Sequence, residues 1–271
     1  MNPVLRIFSY LPNPRIAKAT IVARLCGIEV EVRGAPAQDL GGWLWDYEAH
    51  PMDAAERASL AHLVVAPKTG FKASLYKTPA FLAAHPFGTV PAAFGPGGEI
   101  GIFESNSIMR AVARAGAQAQ PGLYGHGDPW LASRIDAFLD ASLLFARDTQ
   151  VYVLALRDAQ LSPATHAQMA SALITWLTGL ERALGTRAGD SAFIAGDTLT
   201  LADIAFVCEL ALLQNERNHH DKLARLELQP VLEAHGGAEA FPRANAHYTR
   251  LLAHPAIAPD LQPYVDAPPL R

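Results

Sequence analysis

The sequence predicts an α/β amino-terminal domain, ordered βαβ and then ββα, followed by an all-helical domain. Three observations carry that prediction. Residues 4–32 alternate strand-like and helix-like apolar patterning. Two short apolar runs then bracket Pro96-Gly97-Gly98, and from Asp128 onward the apolar residues recur only at helical spacing. The domains are expected at residues 1–119 and 120–271, with an insertion at residues 36–76.

Residues 4–8 are apolar apart from Arg6 and read as a buried strand. The run breaks at Leu11-Pro12-Asn13-Pro14, where a proline at the first helical position sacrifices no hydrogen bond. Ile16, Ala19, Thr20, Ala23 and Cys26 follow at helical spacing, and Gly27 supplies the stop. Ile28, Val30 and Val32 alternate with Glu29, Glu31 and Arg33, the period of a half-exposed strand near a sheet edge. A strand–helix–strand order implies a parallel pair with a right-handed crossover.

Residues 36–76 are long for a connection, and such insertions are often functional or interface-forming. Trp43, Trp45 and Tyr47 read as a Gly-rich loop, with a short helix within residues 53–63. Thr78-Pro79 then opens a helical turn, which ends at His85-Pro86-Phe87-Gly88. Residues 90–94 and 100–103 form a hairpin about Pro96-Gly97-Gly98, and Glu104-Ser105-Asn106 starts a helix to about Arg114, with Ser105 as its cap.

In the second half, Asp128-Pro129 and Ser162-Pro163 are cap-plus-proline helix starts. Ile135, Phe138, Leu139, Ser142 and Phe145 make one stripe; Met169, Leu173, Trp176, Leu180 and Leu184 make another, closed by Gly185. Thr200-Leu201-Ala202-Asp203 is a capping box ahead of a helix with Ile204, Val207, Cys208 and Ala211 on one face. Residues from Pro255 onward are proline-rich and read as an extended tail.

Composition narrows the function. Half the residues are apolar and the formal charge is −4, so a sizeable core is available and no basic face invites nucleic acid. Cys26 and Cys208 fit neither a disulfide framework nor a metal-spaced set, and lie on apolar helix faces. His219-His220 near Glu216 would point to different faces of a helix, so no metal is expected. Without a long apolar run or a basic–apolar leader, neither a membrane span nor a signal peptide is expected, and a cytoplasmic location is the default.

Two neighbourhoods carry chemistry: the turn Ser9-Tyr10-Leu11-Pro12-Asn13, and Val90-Pro91 with Glu104-Ser105. In an open sheet, ligands sit beyond strand ends and beside helix N-termini. Helix N–H groups and the Ser105 hydroxyl suit a carboxylate, and Glu104 suits an ammonium, which together describe an α-amino acid headgroup. If a cis peptide follows it, Val90 would turn its backbone outward for an extended peptide to pair with.

This order, with Thr78-Pro79-Ala80-Phe81-Leu82, Val90-Pro91-Ala92, Phe103-Glu104-Ser105-Asn106-Ser107-Ile108 and residues 193–204, resembles the cytosolic glutathione transferases, most closely the branch that includes the transferase-like domain of elongation factor 1 gamma. The resemblance covers most of the chain outside residues 36–76 and the tail. It implies a thioredoxin-like first domain and glutathione as co-substrate, its cysteinyl unit on Val90 with Pro91 cis and its γ-glutamyl end on Glu104 and Ser105. Lys68, Lys72 or Lys77 would meet the glycyl carboxylate. The position of the activating residue departs from the family: Leu11 stands where many members have serine. The candidates for assisting the sulfur are therefore Asn13, as in branches that use an Asn amide, and Ser9 or Tyr10.

The expected reaction is attack of the glutathione thiolate on a small hydrophobic, aromatic electrophile in a cleft between the domains, with β-aryl ether cleavage as one form. The rival is a transferase-like interaction subunit of elongation factor 1 gamma type, or the partner chain of a mixed dimer. The family implies a homodimer or a heterodimer with a related chain.

Overall fold

The structure, a computed structural model, describes residues 3–67, 70–158, 160–186 and 193–268. The chain divides into two compact units, Met1–Gly116 and Ala117–Arg271, close to the expected boundary.

The first unit opens with β1 (Leu5–Tyr10), α1 (Pro14–Cys26) and β2 (Val30–Ala35). Gly27 ends α1 at φ +63°, a left-handed conformation that costs glycine nothing, and its N–H returns to the carbonyls of Ala23 and Arg24. Residues 36–77 contribute β3 (Trp43–Trp45), β4 (His50–Pro51), α2 (Ala54–Ser59), β5 (Val64–Val65) and β6 (Leu75–Lys77). Then come α3 (Pro79–Ala84), β7 (Ala92–Phe94), β8 (Gly101–Phe103) and α4 (Ser105–Ala115). The main sheet has the order β2-β1-β7-β8, with β1 and β2 parallel and the other pairs antiparallel, so β2 is the edge that its alternation predicts.

The insertion differs from its sequence reading. The Trp43/Trp45 segment is a strand, and β4-β3-β6-β5 form a second sheet. The short helix is present as α2, with Asp53 Oδ1 accepting from Glu56 N–H at 2.8 Å. Rather than projecting, the insertion supplies core: Leu40, Trp45, Ala49 and Leu75 cluster with Phe81 and with Phe8, Ala92 and Phe94 of the main sheet. Trp45 is fully buried, donates its indole N–H to Leu40 O at 3.1 Å, and meets Phe8, Phe71 and Phe81 edge-on at 5.3, 5.4 and 5.7 Å. Ile7 and Ala93, buried at the alternate positions, face the other side, where α1 and α4 pack on each other. Arg6 and Arg33 bridge Glu31 of the edge strand to Glu48 of the insertion. The hydrogen bond from Arg6 holds the Glu48 carboxyl below its ordinary range.

His85 sits inside the first unit, 1% exposed, with its ring 5.1 Å from Phe81 and 4.7 Å from Phe94. Neither ring nitrogen has a hydrogen-bond partner. Burial without a counter-charge depresses its pKa to about 4.

The second unit comprises α5 (Pro129–Arg157), α6 (Pro163–Gly185), α7 (Leu201–Leu213), α8 (His220–Arg225), α9 (Val231–His235), α10 (Pro242–Leu252) and α11 (Ala258–Val265). The expected caps are in place: Asp128 accepts from Trp130 N–H at 2.8 Å and Ser162 from Thr165 N–H at 3.1 Å. Asp203 Oδ2 accepts from Thr200 N–H at 2.8 Å, while its Oδ1 reaches Ile194 N–H at 2.9 Å and His247 Nε2 at 2.8 Å. Every residue of α7 is buried, so the single apolar face read from sequence is a helix enclosed all round. The tail reading is corrected too, because α11 forms with prolines inside it; its first turn needs no donor at Pro259. Glu216 is buried and accepts from the N–H groups of Val231 and Leu232 at the start of α9, each at 2.8 Å. Among the described residues no group of three metal-ligating side chains occurs, and no helix is long and apolar enough to cross a membrane.

Two outcomes follow from the first unit's core. Trp45→Ala costs about 3–5 kcal/mol in urea unfolding, the range for truncating a fully buried aromatic. His85 is neutral when folded and takes a proton near its ordinary pKa of 6.5 when unfolded. Its contribution is therefore complete above pH 6.5 and lost as the pH falls toward 4, by up to about 3 kcal/mol. The stability advantage of the wild type over His85→Leu shrinks across that window; equal slopes for the two proteins would contradict the assignment.

Candidate functional site

The sheet register gathers the sequence-derived residues at one end. Phe8 pairs with Ala92, and Ala92 with Phe103. The end of β1, the approach to β7 and the end of β8 therefore lie side by side, bringing residues 9–13 to the same sheet end as Val90-Pro91 and Glu104-Ser105. α1 and α4 both begin there, so two helix N-termini converge on it.

At the start of α1, Asn13 is the N-cap, with Oδ1 accepting from Arg15 N–H at 3.0 Å. One amide N–H of Asn13 goes to Ser9 Oγ at 3.2 Å. Ser9 is fully buried and Asn13 is 6% exposed. Tyr10 is half-buried and packs against the aromatic cluster, as does Val90. Leu11 donates its N–H to Ala35 O at 2.9 Å, and its side chain offers no proton donor.

The Val90–Pro91 bond is cis, as is Leu11–Pro12. Val90 lies just before β7, and its N–H and C=O have no hydrogen-bond partner among the described residues. Glu104 occupies the N-cap of α4 at φ +66° and ψ +125°, a backbone region uncommon outside glycine, and its exposed carboxylate has no partner among the described residues. Ser105 is therefore the first helical residue rather than the cap. It is buried, and its Oγ accepts from Lys18 Nζ at 3.1 Å. Lys18, itself buried on α1, also donates to Asn106 Oδ1 at 2.8 Å.

Lys18 escapes sequence reasoning because it stands among Ile16, Ala17 and Ala19 as an apparently ordinary helical lysine. The available signal was an α1 so apolar that most of its faces had to be covered. Lys77 donates to Gly88 O at 2.6 Å and lies 4.8 Å over the Trp45 ring, which places it behind the turn leading to Val90. Lys72 is exposed, and Lys68 lies outside the described residues. Unpaired strand backbone, an exposed carboxylate and a hydroxyl at a helix N-terminus can together hold an extended, zwitterion-ended peptide.

Comparison with known proteins agrees with this architecture. Residues 149–262 match the glutathione S-transferase C-terminal domain family. Elongation factor 1-gamma of Prunus avium is 32% identical over 169 residues, 55% of this chain and 36% of that protein. The match thus spans little more than a third of that relative's length. A glutathione S-transferase of Arabidopsis thaliana is 30% identical over 144 residues, 48% of this chain and 60% of that protein. The structure of a glutathione transferase homolog from Lodderomyces elongisporus, with two GSH per subunit, superposes with a TM-score of 0.61 at 17% identity, covering 97% of this chain and 99% of that one. The fold, the helical-domain match and these relatives agree with the expected resemblance: the chain is similar to members of the glutathione S-transferase superfamily, relatives named elongation factor 1-gamma among them.

Proposed function

We propose that this chain binds glutathione at the sheet end described above and transfers it to a small hydrophobic, aromatic electrophile. The observation that carries the reading is the unpaired Val90 backbone beside an exposed Glu104 carboxylate held on the N-cap of α4. In this reading Val90, with Pro91 after it, pairs with the cysteinyl unit. Glu104 takes the γ-glutamyl ammonium and Ser105 its carboxylate.

A free thiol of pKa about 8.5 is mostly protonated at neutral pH, so transfer requires donors that favour the thiolate. The α1 N-terminus supplies partial positive charge. Asn13 keeps a second amide N–H beyond the one given to Ser9, and that N–H is the proposed donor to sulfur, with Ser9 holding the amide's orientation. Tyr10 is the alternative donor. The thiolate then forms a C–S bond as the electrophile's leaving group departs with the electron pair. An aryloxide leaving from a β-aryl ether is one member of this class, and halide is another. The assembly expected with this activity is a homodimer or a pair with a related chain.

One observation favours a second reading, an interaction subunit with little or no turnover. Leu11 brings no donor, and Asn13 is almost fully buried and already bonded to Ser9. The relatives named elongation factor 1-gamma point the same way.

Titration calorimetry with glutathione tests binding. Ser105→Ala is expected to weaken it about tenfold, the scale of a hydrogen bond to a charged group, and unchanged affinity removes the headgroup assignment. Conjugation assays across aryl halides, epoxides, enones and β-aryl ethers test transfer. Turnover that falls about tenfold or more in Asn13→Ala supports the enzyme; glutathione binding with no turnover in any class supports the interaction subunit.

A further inference from the structure

We propose that Lys18 is a positioning residue for the γ-glutamyl end of glutathione, fixing the Ser105 hydroxyl as a donor to the ligand's α-carboxylate; this rests on the glutathione reading above. Lys18 is 1% exposed in the middle of α1, and its Nζ lies 3.1 Å from Ser105 Oγ and 2.8 Å from Asn106 Oδ1. Both acceptors belong to the first turn of α4. One buried ammonium therefore ties the helix after β1 to the helix that ends the hairpin.

The direction of these bonds fixes the chemistry. A lysine ammonium has three N–H groups and no lone pair, so it only donates. Ser105 Oγ must act as its acceptor, and the single hydroxyl proton is turned away from Lys18. Without the ammonium, the hydroxyl could rotate and present a lone pair to the ligand, which would repel a carboxylate. With it, the same oxygen carries a proton and lies next to a cation. The N–H groups of a helix's first turn lack partners within the helix and point along the same direction. Lys18 thus loads the α4 N-terminus for an anion from behind, without meeting the ligand.

Glu104 sharpens what this anion must be. Its carboxylate stands exposed on the residue immediately before Ser105. A simple carboxylate at the helix N-terminus would gain from Ser105 and lose to Glu104. A zwitterionic α-amino acid end, with carboxylate to Ser105 and ammonium to Glu104, is favoured by both. Lys18 and Glu104 therefore act as opposing charges that select a zwitterion.

The test compares glutathione with its analogue lacking the γ-glutamyl α-carboxylate, 4-aminobutanoyl-cysteinyl-glycine, by calorimetry on the full chain. Wild type is expected to prefer glutathione about tenfold or more, the scale of a charged hydrogen bond. Lys18→Met keeps the apolar stem and removes the ammonium. It is expected to lower glutathione affinity while leaving the analogue's unchanged, so the preference collapses toward one. A role confined to packing would weaken both ligands alike and leave the ratio intact, which overturns the proposal. Lys18→Gln, which restores an N–H donor, is expected to recover part of the preference and serves as the probe if Lys18→Met does not fold; full loss of preference in Ser105→Ala with full retention in Lys18→Gln and Lys18→Met also overturns it. Failure of wild type to bind glutathione removes the glutathione reading and this proposal together. Binding without any preference over the analogue spares glutathione binding itself but removes the Ser105–carboxylate contact and, with it, the Lys18 proposal.

Discussion

A sheet of four short strands with apolar residues on both faces must cover both, and the first unit depends on how it does so. One face is closed by α1 and α4. The other is closed by the insertion, through Trp45 and its neighbours. That cover is continuous with the site. Thr78 donates to Asp46 Oδ1 at 2.8 Å, and Lys77, one residue earlier, donates to Gly88 O at 2.6 Å. The turn delivering Val90 to the sheet end is therefore held by residues whose own positions are set by the Trp45 strand. Loss of the second sheet would release the strand approach on which the proposed peptide-binding geometry rests.

The opposite side of the sheet is bound by polar contacts. Ser9, Asn13, Lys18, Ser105 and Asn106 are all buried where α1 and α4 begin. Burying such groups is costly unless each finds a partner. The contacts between Asn13 and Ser9, and from Lys18 to Ser105 and Asn106, meet that requirement. His85 shows the contrary case, with an aromatic enclosure and no hydrogen-bond partner for either ring nitrogen. There the neutral imidazole avoids burying a charge, while both ring nitrogens stay unpaired.

Local chemistry was legible in the sequence, and long-range pairing was not. Thr78, Asp128, Ser162 and the Thr200/Asp203 box act as caps because capping is decided within three residues. The placement of Val90, Pro91, Glu104 and Ser105 at one sheet end was legible because strand-end and helix-start positions follow from element order. The insertion was misread because β3 pairs with β6 some thirty residues on, and two- or three-residue strands carry too little alternation to register. The proline-rich end is helical because composition does not dictate conformation there: helical geometry tolerates proline in the first turn. Lys18 was invisible for a different reason: its importance lies in Ser105 and Asn106, which only the packing of α1 on α4 brings within reach.

In the proposed reading, binding and chemistry draw on different parts of this site. The proposed peptide-holding elements are backbone at Val90, a helix N-terminus, and Glu104 and Ser105 beside it. Their positions are fixed by sheet register and helix start. Thiol activation depends on a side chain in the turn after β1, where Leu11 contributes no donor and Asn13 is drawn inward as a cap. A chain can therefore keep its capacity for the tripeptide while the turn drifts between a conjugating and a non-conjugating state. In the proposed reading the balance in this chain rests on the one Asn13 N–H not given to Ser9, because Leu11 brings no donor and the other Asn13 amide N–H is already engaged.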